Sequence, residues 1–303
     1  MAISSPITAQ PPTLLHDATR RSRERHPYVR RFVRRGVTPV SLLVLLLVLF
    51  CAIMAPVIAP QDPASQDILH RLVPPLESGS GHVLGSDNLG RDMLSRLIYG
   101  SRVSLIVGAT SVLIAGFVGI LLGLLSGFYG GKIDSFISWL ANVQLSFPFI
   151  LLVIALVAVI GAGLLNVIIV LGFASWVIYQ RVVRGEVLAI REREYIEAAR
   201  VIGARDGRIL VRHILPNLLT PLIVIGTLQI AQMIIAESAL SFLGLGVQPS
   251  IPSWGSMLAD GRSYLTVAWW VATLPGVAIA ITVLSINVLG DWLRDELDPR
   301  LRT

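Results

Sequence analysis

The sequence predicts an all-α integral membrane protein with six transmembrane helices and both termini on the cytoplasmic side. Three observations lead there. Of 303 residues, 54% are hydrophobic and 15% charged, where an ordinary soluble domain carries about 25% charged residues. Mean hydropathy is +0.72. The 25 basic and 19 acidic residues are also unevenly placed. They leave uncharged runs long enough to cross a hydrocarbon core about 30 Å thick at roughly 1.5 Å per helical residue. The one cysteine, Cys51, sits in an apolar run, which excludes a disulfide framework and a cysteine-based zinc site.

The spans follow in order. Residues 1–39 form a basic tail, expected to be disordered and cytoplasmic, and 40–60 carry the first transmembrane helix around the uncharged run 41–59. A cleavable leader is not expected, because the apolar run follows a long tail and ends in Pro56 and Pro60. Residues 61–101 read as an extracytoplasmic segment. Within it Met93, Leu94, Leu97 and Ile98, beside Arg91, Arg96 and Arg102, suggest an interfacial helix. Asp87 and Asp92 in the same segment read as capping groups, not as an acid/base pair. The second span lies in 103–131. There Gly119, Gly123 and Gly127, preceded by Gly116, place small residues every four positions, a pattern for close helix contact in lipid.

Residues 135–180 are uncharged and as one helix would be about 69 Å long. They must fold back as two spans, with the reversal expected at Gly161-Ala162-Gly163. Residues 214–236 give a fifth span, interrupted near its end by Glu237, and 263–290 a sixth, with Trp269, Trp270 and Trp292 placed as interfacial anchors. Pro148 and Pro275 read as kinks. With the N-terminus inside, the inner segments hold 20 of the 25 basic residues, which favours N-in and C-in. The basic charge is therefore topology, not a nucleic-acid footprint.

Nothing in the polar segments suggests catalysis. The five histidines lie outside the spans, and neither a His-Glu-x-x-His nor a Gly-x-Ser-x-Gly pattern occurs. The nearest approach to a phosphate loop, ending in Gly131-Lys132-Ile133, has Ser126 where the first glycine belongs and Ile133 where Ser or Thr would hold magnesium. No catalytic residue, metal site or bound cofactor is expected.

The segment 184–217 is too long for a tight turn and has helical periodicity. Tyr195, Ala198, Ala199 and Ile202 share one apolar face, while Arg193, Glu197 and Arg200 share a charged one with Glu197 in reach of both arginines. Gly203 suits a C-terminal cap, and a second short helix is expected to lead to Leu215-Pro216. Periodicity leaves two readings open: a hairpin lying at the lipid surface, or one that docks on another protein. Glu237 is the ionisable residue of the fifth span, on one face with Gln229, Met233 and Ser241. That face could line a translocation path, or Glu237 could cap or pair within the bundle.

The pattern Glu197-Ala198-Ala199-x3-Gly203 followed by Leu215-Pro216 resembles the EAA loop of permease subunits of bacterial ABC importers. His213 stands where that signature usually has Ile. The form around Arg212-His213-Ile214-Leu215-Pro216-Asn217 is similar to the peptide-importer branch. So are residues 84–92, Ala236-Glu237-Ser238-Ala239-Leu240-Ser241-Phe242-Leu243-Gly244-Leu245-Gly246, and 290–295. The resemblance covers about residue 40 to the end. It points to the C-type permease of the peptide/nickel branch within the binding-protein-dependent transport inner-membrane component family.

That resemblance implies a type I importer permease domain over 102–291, a cytoplasmic tail over 292–303, and residence in the bacterial inner membrane. It implies a coupling helix seated in a separate ATPase, with Arg193, Glu197 and Arg200 for orientation, Ala198 and Ala199 for contact, and Gly203 for the bend. ATP and magnesium would then be held by two partner ATPases. A homologous B-type permease would complete the path, and a binding protein would dock on 61–102 and 246–262. Di- or oligopeptides are the implied substrates, with nickel and glutathione-type solutes as alternatives. An ion-coupled carrier would need more midplane charge and an internal repeat of broken helices.

Overall fold

The computed structural model describes residues 36–248 and 250–297. Most of the expected basic tail and the last six residues lie outside the described residues. The regular elements of the described residues are all helical apart from one isolated bridge between Ser86 and Asp92; turns and irregular segments connect them. In order, α1 is Val37–Ile58, α2 Met93–Tyr129, α3 Gly131–Leu145, α4 Phe149–Ile160, α5 Leu164–Arg191, α6 Glu194–Val201, α7 Asp206–Ile209, α8 Leu215–Phe242, α9 Trp254–Gly261 and α10 Trp269–Leu297. Helices α1, α2, α5, the α7–α8 unit and α10 are each long and apolar enough to cross a membrane. The pair α3–α4, bent by 90°, makes a sixth.

Packing directions support six crossings. Gly119 meets Trp176 and Tyr179, Gly123 meets Gln180 and Val183, and Gly127 meets Arg184 and Val187, so α2 and α5 run parallel. The intervening α3–α4 pair must therefore carry the chain back. Helix α8 runs antiparallel to both: Gly108 of α2 faces Ile230 and Ile234, and Ser175 of α5 donates to Met233 Sδ at 3.6 Å. Gly290 of α10 lies on Leu228 and Thr227. The ends of α2, α5 and α10 and the start of α8 thus share one end of the bundle.

Sequence chemistry explains the breaks. Gly130 and Gly131 both have positive φ and turn the chain sharply from α2 into α3. Pro148 does more than kink the third span. It lacks an N–H and disfavours a helical conformation at Phe147, and two helices at right angles result. The reversal from α4 to α5 falls at Gly161 and Gly163, where Asn166 Nδ2 donates to the Gly161 carbonyl at 3.0 Å. Pro275, by contrast, sits inside an unbroken α10.

The expected interfacial helix is absent as such. Residues 93–102 are the first turns of α2, whose 37 residues span about 55 Å. Met93 and Arg96 are buried, not spread on a lipid surface. Trp270 is likewise a core residue: it packs with Met93, Trp254 and Met257, and its Nε1 donates to the Ser86 carbonyl at 3.1 Å. Trp269 remains exposed.

Small residues set the closest approach in the bundle. A Cβ at Gly123 would lie 2.6 Å from Val183 Cβ, and one at Gly127 2.8 Å from Val187 Cβ. Gly123→Val is expected to force α2 and α5 apart and to destabilise the protein by about 1–3 kcal/mol, measured as a fall in unfolding temperature in detergent. Gly207→Ala, where nothing lies within 4 Å, should leave that temperature unchanged.

Candidate functional site

At the end of the bundle where α5 finishes, the chain forms a hairpin. Ile196 and Ala199 of α6 turn inward against Phe128, Val183, Val187, Ile190, Ile209, Ile214 and Leu218. Helix α6 then ends as a Schellman motif. The Gly203 N–H donates to the Arg200 carbonyl at 3.0 Å and Ala204 N–H to the Ala199 carbonyl at 3.0 Å. Gly203 has φ +82°, a conformation glycine adopts without a Cβ clash. Beyond it α7 does not stop as a separate short helix. It passes through a π-helical turn, Leu210–Ile214, directly into α8, with Leu215 N–H donating to the Leu210 carbonyl. The wider turn precedes Pro216, which has no N–H to offer, and Asn217 Nδ2 donates to the His213 carbonyl at 2.6 Å.

The apolar face expected of Tyr195, Ala198, Ala199 and Ile202 is divided. Ala199 packs inward beside Ile196, while Tyr195, Ala198 and Ile202 point outward with Val201. Val201 is 87% and Ile202 84% exposed. A helix on the surface of a bundle ordinarily turns such side chains inward. Here the inward positions are already occupied by Ile196 and Ala199. No ion pair joins Glu197 to Arg193 or Arg200. Arg200 instead lies over the Phe128 ring, 5.6 Å from its centroid, and Arg191 Nη1 donates to the Gly127 carbonyl at 2.9 Å. The hairpin is thus fastened to the last turn of α2 while its outer face stays open.

Gln229, Met233, Glu237 and Ser241 share a face of α8, but all four are buried within this chain. In this conformation they pack and do not line an open path. Glu237 Oε1 accepts from Ser241 Oγ at 2.8 Å and from Ser253 Oγ at 2.9 Å. Ser253 is the N-cap of α9 and forms a reciprocal capping box with Ser256. The carboxylate therefore ties α8 to the start of α9. Gly244, with φ +79°, ends α8 so that this hairpin can close, and Gly255 lies against Ser238.

The far end of the bundle holds a denser charge network. Asp87 Oδ1 accepts the N–H groups of Leu89 and Arg91 at 2.8 and 2.9 Å. Its Oδ2 takes Arg91 Nε at 2.6 Å and Arg96 Nη1. The same two guanidiniums reach Asp260 of α9 at 3.1 and 3.2 Å. Asp92 caps α2 by accepting the Ser95 N–H at 2.7 Å, and its Oδ1 lies 3.1 Å from His82 Nδ1. Asp87 and Asp92 are capping and orienting groups, as expected, and not an acid/base pair. At the rim, the His70 ring hydrogen-bonds Asp67 and holds that carboxyl below the usual range.

Sequence reasoning did not single out the polar clasps between the broken span and α5. Asp134 binds Arg184 through two bonds of 2.5 and 2.6 Å. Gln144 donates to the Ala174 carbonyl and accepts from Trp176 Nε1, both at 2.6 Å. Arg181 Nη2 donates to Asn142 Oδ1 at 3.0 Å. The available signal was polar residues flanking or interrupting an apolar run.

Residues 119–303 match the family described as binding-protein-dependent transport system inner membrane component, and residues 28–75 match the N-terminal TM domain of oligopeptide transport permease C. The chain is 47% identical over 250 residues to the di/tripeptide transport system permease protein DppC of Pseudomonas aeruginosa, covering 82% of each chain. It is 46% identical over 224 residues to the glutathione transport system permease protein GsiD of Pectobacterium atrosepticum, covering 74% of each. Inward-facing MetNI methionine ABC transporter shares the fold, with a TM-score of 0.55 and 23% identity over 68% of this chain and 98% of that one.

The buried network carries a stability prediction. Asp87→Asn leaves two buried guanidiniums without their enclosed counter-charge and is expected to cost about 3–5 kcal/mol. Asp260→Asn, at a side chain 30% exposed to solvent, should cost markedly less. Thermal unfolding of the two purified variants gives the comparison.

Proposed function

The chain belongs to the family of binding-protein-dependent transport system inner membrane components, and from that membership we propose that it is the permease subunit of an ATP-driven importer of di- or oligopeptides. It is a multi-pass protein of the inner membrane. In this reading it pairs with a homologous B-type permease, and the two together form the path. Two separate ATPase subunits bind ATP and magnesium and hydrolyse the nucleotide, and this chain performs no chemistry of its own. A substrate-binding protein delivers peptide to the outer segments 61–102 and 246–262. The excess of basic residues near the hairpin supports an N-in, C-in orientation that puts the hairpin on the ATPase side.

The observation that carries the reading is the outward apolar face of α6. Val201 and Ile202 are almost fully exposed, with Tyr195 and Ala198 exposed beside them, and Arg193 and Glu197 flank them. A hydrophobic surface rimmed by charge is what a protein groove recognises. Its mechanical connection suits transmission. Helix α5 enters the hairpin, and α7 leaves it without interruption into α8, so a displacement of α6 acts on two spans as a rigid body. Peptide as the solute is supported by the di/tripeptide relative. The glutathione relative, at similar identity, favours a γ-glutamyl peptide as the second reading.

The test is reconstitution with both ATPases, the second permease and the binding protein. Uptake is expected to require ATP. Ile202→Glu should lower ATP-driven uptake by at least about tenfold, as loss of an interface anchor does, while the unfolding temperature of the isolated permease stays unchanged. Uptake that proceeds without ATP would overturn the proposal.

A further inference from the structure

Helix α5 is the most enclosed of the five long spans, with 67% of its apolar window buried within the chain against 33% or less for the others. Its second half nonetheless leaves one face open. Ile178, Arg181, Gly185 and Ala189 are exposed and recur at i, i+3, i+7 and i+11, a single helical face. Arg181 is the first charged residue after the uncharged run 135–180 and stands about 25 Å along α5 from Leu164, at the inner end of the span. A cation there reaches protein or water rather than lipid tails.

Two arginines one turn apart are treated differently. Arg184 is neutralised by a two-bond pair with Asp134. Arg181 has no carboxylate within ion-pair distance among the described residues, and its one recorded side-chain bond is to the neutral amide of Asn142. Asn142 is itself exposed, so the amide orients the guanidinium without cancelling its charge. On the next turn nothing lies within 4 Å of a Cβ placed at Gly185. Gly185 therefore leaves the helix face next to Arg181 without a side chain, and Arg181 itself is exposed.

We infer that Arg181, held by Asn142, forms an anion-binding station in the inner part of the translocation path that takes the terminal carboxylate of a passing peptide. The inference rests on the permease reading above. A guanidinium fork matches a carboxylate with two parallel bonds. Because the cation is pre-oriented but uncompensated, a free carboxylate meets it without first displacing a resident one. Arg184 cannot serve, since Asp134 already fills its fork.

The test uses the full transporter with wild-type, Arg181→Gln or Arg181→Lys permease. Uptake of L-alanyl-L-alanine and of its C-terminal amide is measured beside peptide-independent ATP hydrolysis. The binding protein is the same in every arm, so its own preference cancels when variants are compared. Arg181→Gln is expected to lower free-acid uptake about tenfold, the scale of one charge-assisted bond, and to affect the amide much less. Arg181→Lys, which keeps the charge but not the fork, should fall between wild type and Arg181→Gln, with ATP hydrolysis and recovered complex unchanged in both variants. Where wild type takes up the free acid alone, loss with Gln and partial retention with Lys carries the same support. Equal loss for both peptides, unchanged uptake, or joint loss of assembly and ATP hydrolysis would each overturn the inference. The last would mark Arg181 as a contact to the partner permease. A wild-type complex without ATP-driven uptake would instead overturn the permease reading.

Discussion

Apolar side chains in a bilayer gain nothing by leaving lipid for one another, so helices associate through close van der Waals contact and polar bonds. In this chain that contact is made where Gly119, Gly123 and Gly127 let the backbone of α2 approach that of α5. Each glycine receives a residue from successive turns of α5, and the absence of three Cβ atoms brings the two backbones together over three turns. The remaining architecture is arranged around that seam. Phe128, one residue past it, forms the roof of the hairpin core and the platform for Arg200. Gly108, nearer the start of α2, admits α8 through Ile230 and Ile234.

The two ends of the bundle solve opposite problems. At the end where α2 begins, charge is enclosed: two arginines and two aspartates share bonds among the segment leading into α2, α2 itself and α9, and Glu237 holds the cap of α9 through Ser253. Buried ions are costly unless each has a partner, so these groups hold one arrangement. At the other end charge is left on the surface and apolar side chains are left uncovered. The α7–α8 unit joins the two: it starts in the hairpin and ends at Phe242, just past Glu237. Displacement of the hairpin would therefore reach α9 and, through Asp260, the start of α2.

Much of this was legible in the sequence because it depends on local chemistry. Uncharged runs located the spans, Gly161 and Gly163 the reversal, Gly203 the end of α6, and the four-residue glycine spacing the helix seam. The misplaced elements depend on partners far away in the chain. Arg96 looks like a surface residue until Asp87 and Asp260 enclose it, and Trp270 looks like an interfacial anchor until the Ser86 carbonyl meets it. The face of Gln229, Met233, Glu237 and Ser241 was correctly grouped, yet periodicity does not say what covers a face. Pro148 marked a disturbance without its angle, which the clasps from Asp134, Asn142 and Gln144 to α5 accompany.

The division of α6 shows how a short sequence can serve two masters. Eight residues give little more than two turns, enough for one inward pair and one outward patch. Had Tyr195, Ala198, Ala199 and Ile202 all turned inward, the hairpin would be complete in itself and nothing would remain for a partner to grip. Instead Ile196 and Ala199 suffice for anchoring, because Phe128, Ile209 and Ile214 already surround them. The small Ala198 and the exposed Val201 and Ile202 are thereby released from the fold. In the proposed reading, anchoring by few residues and exposure of the rest lets the element stay attached to two spans while changing its contacts with another protein.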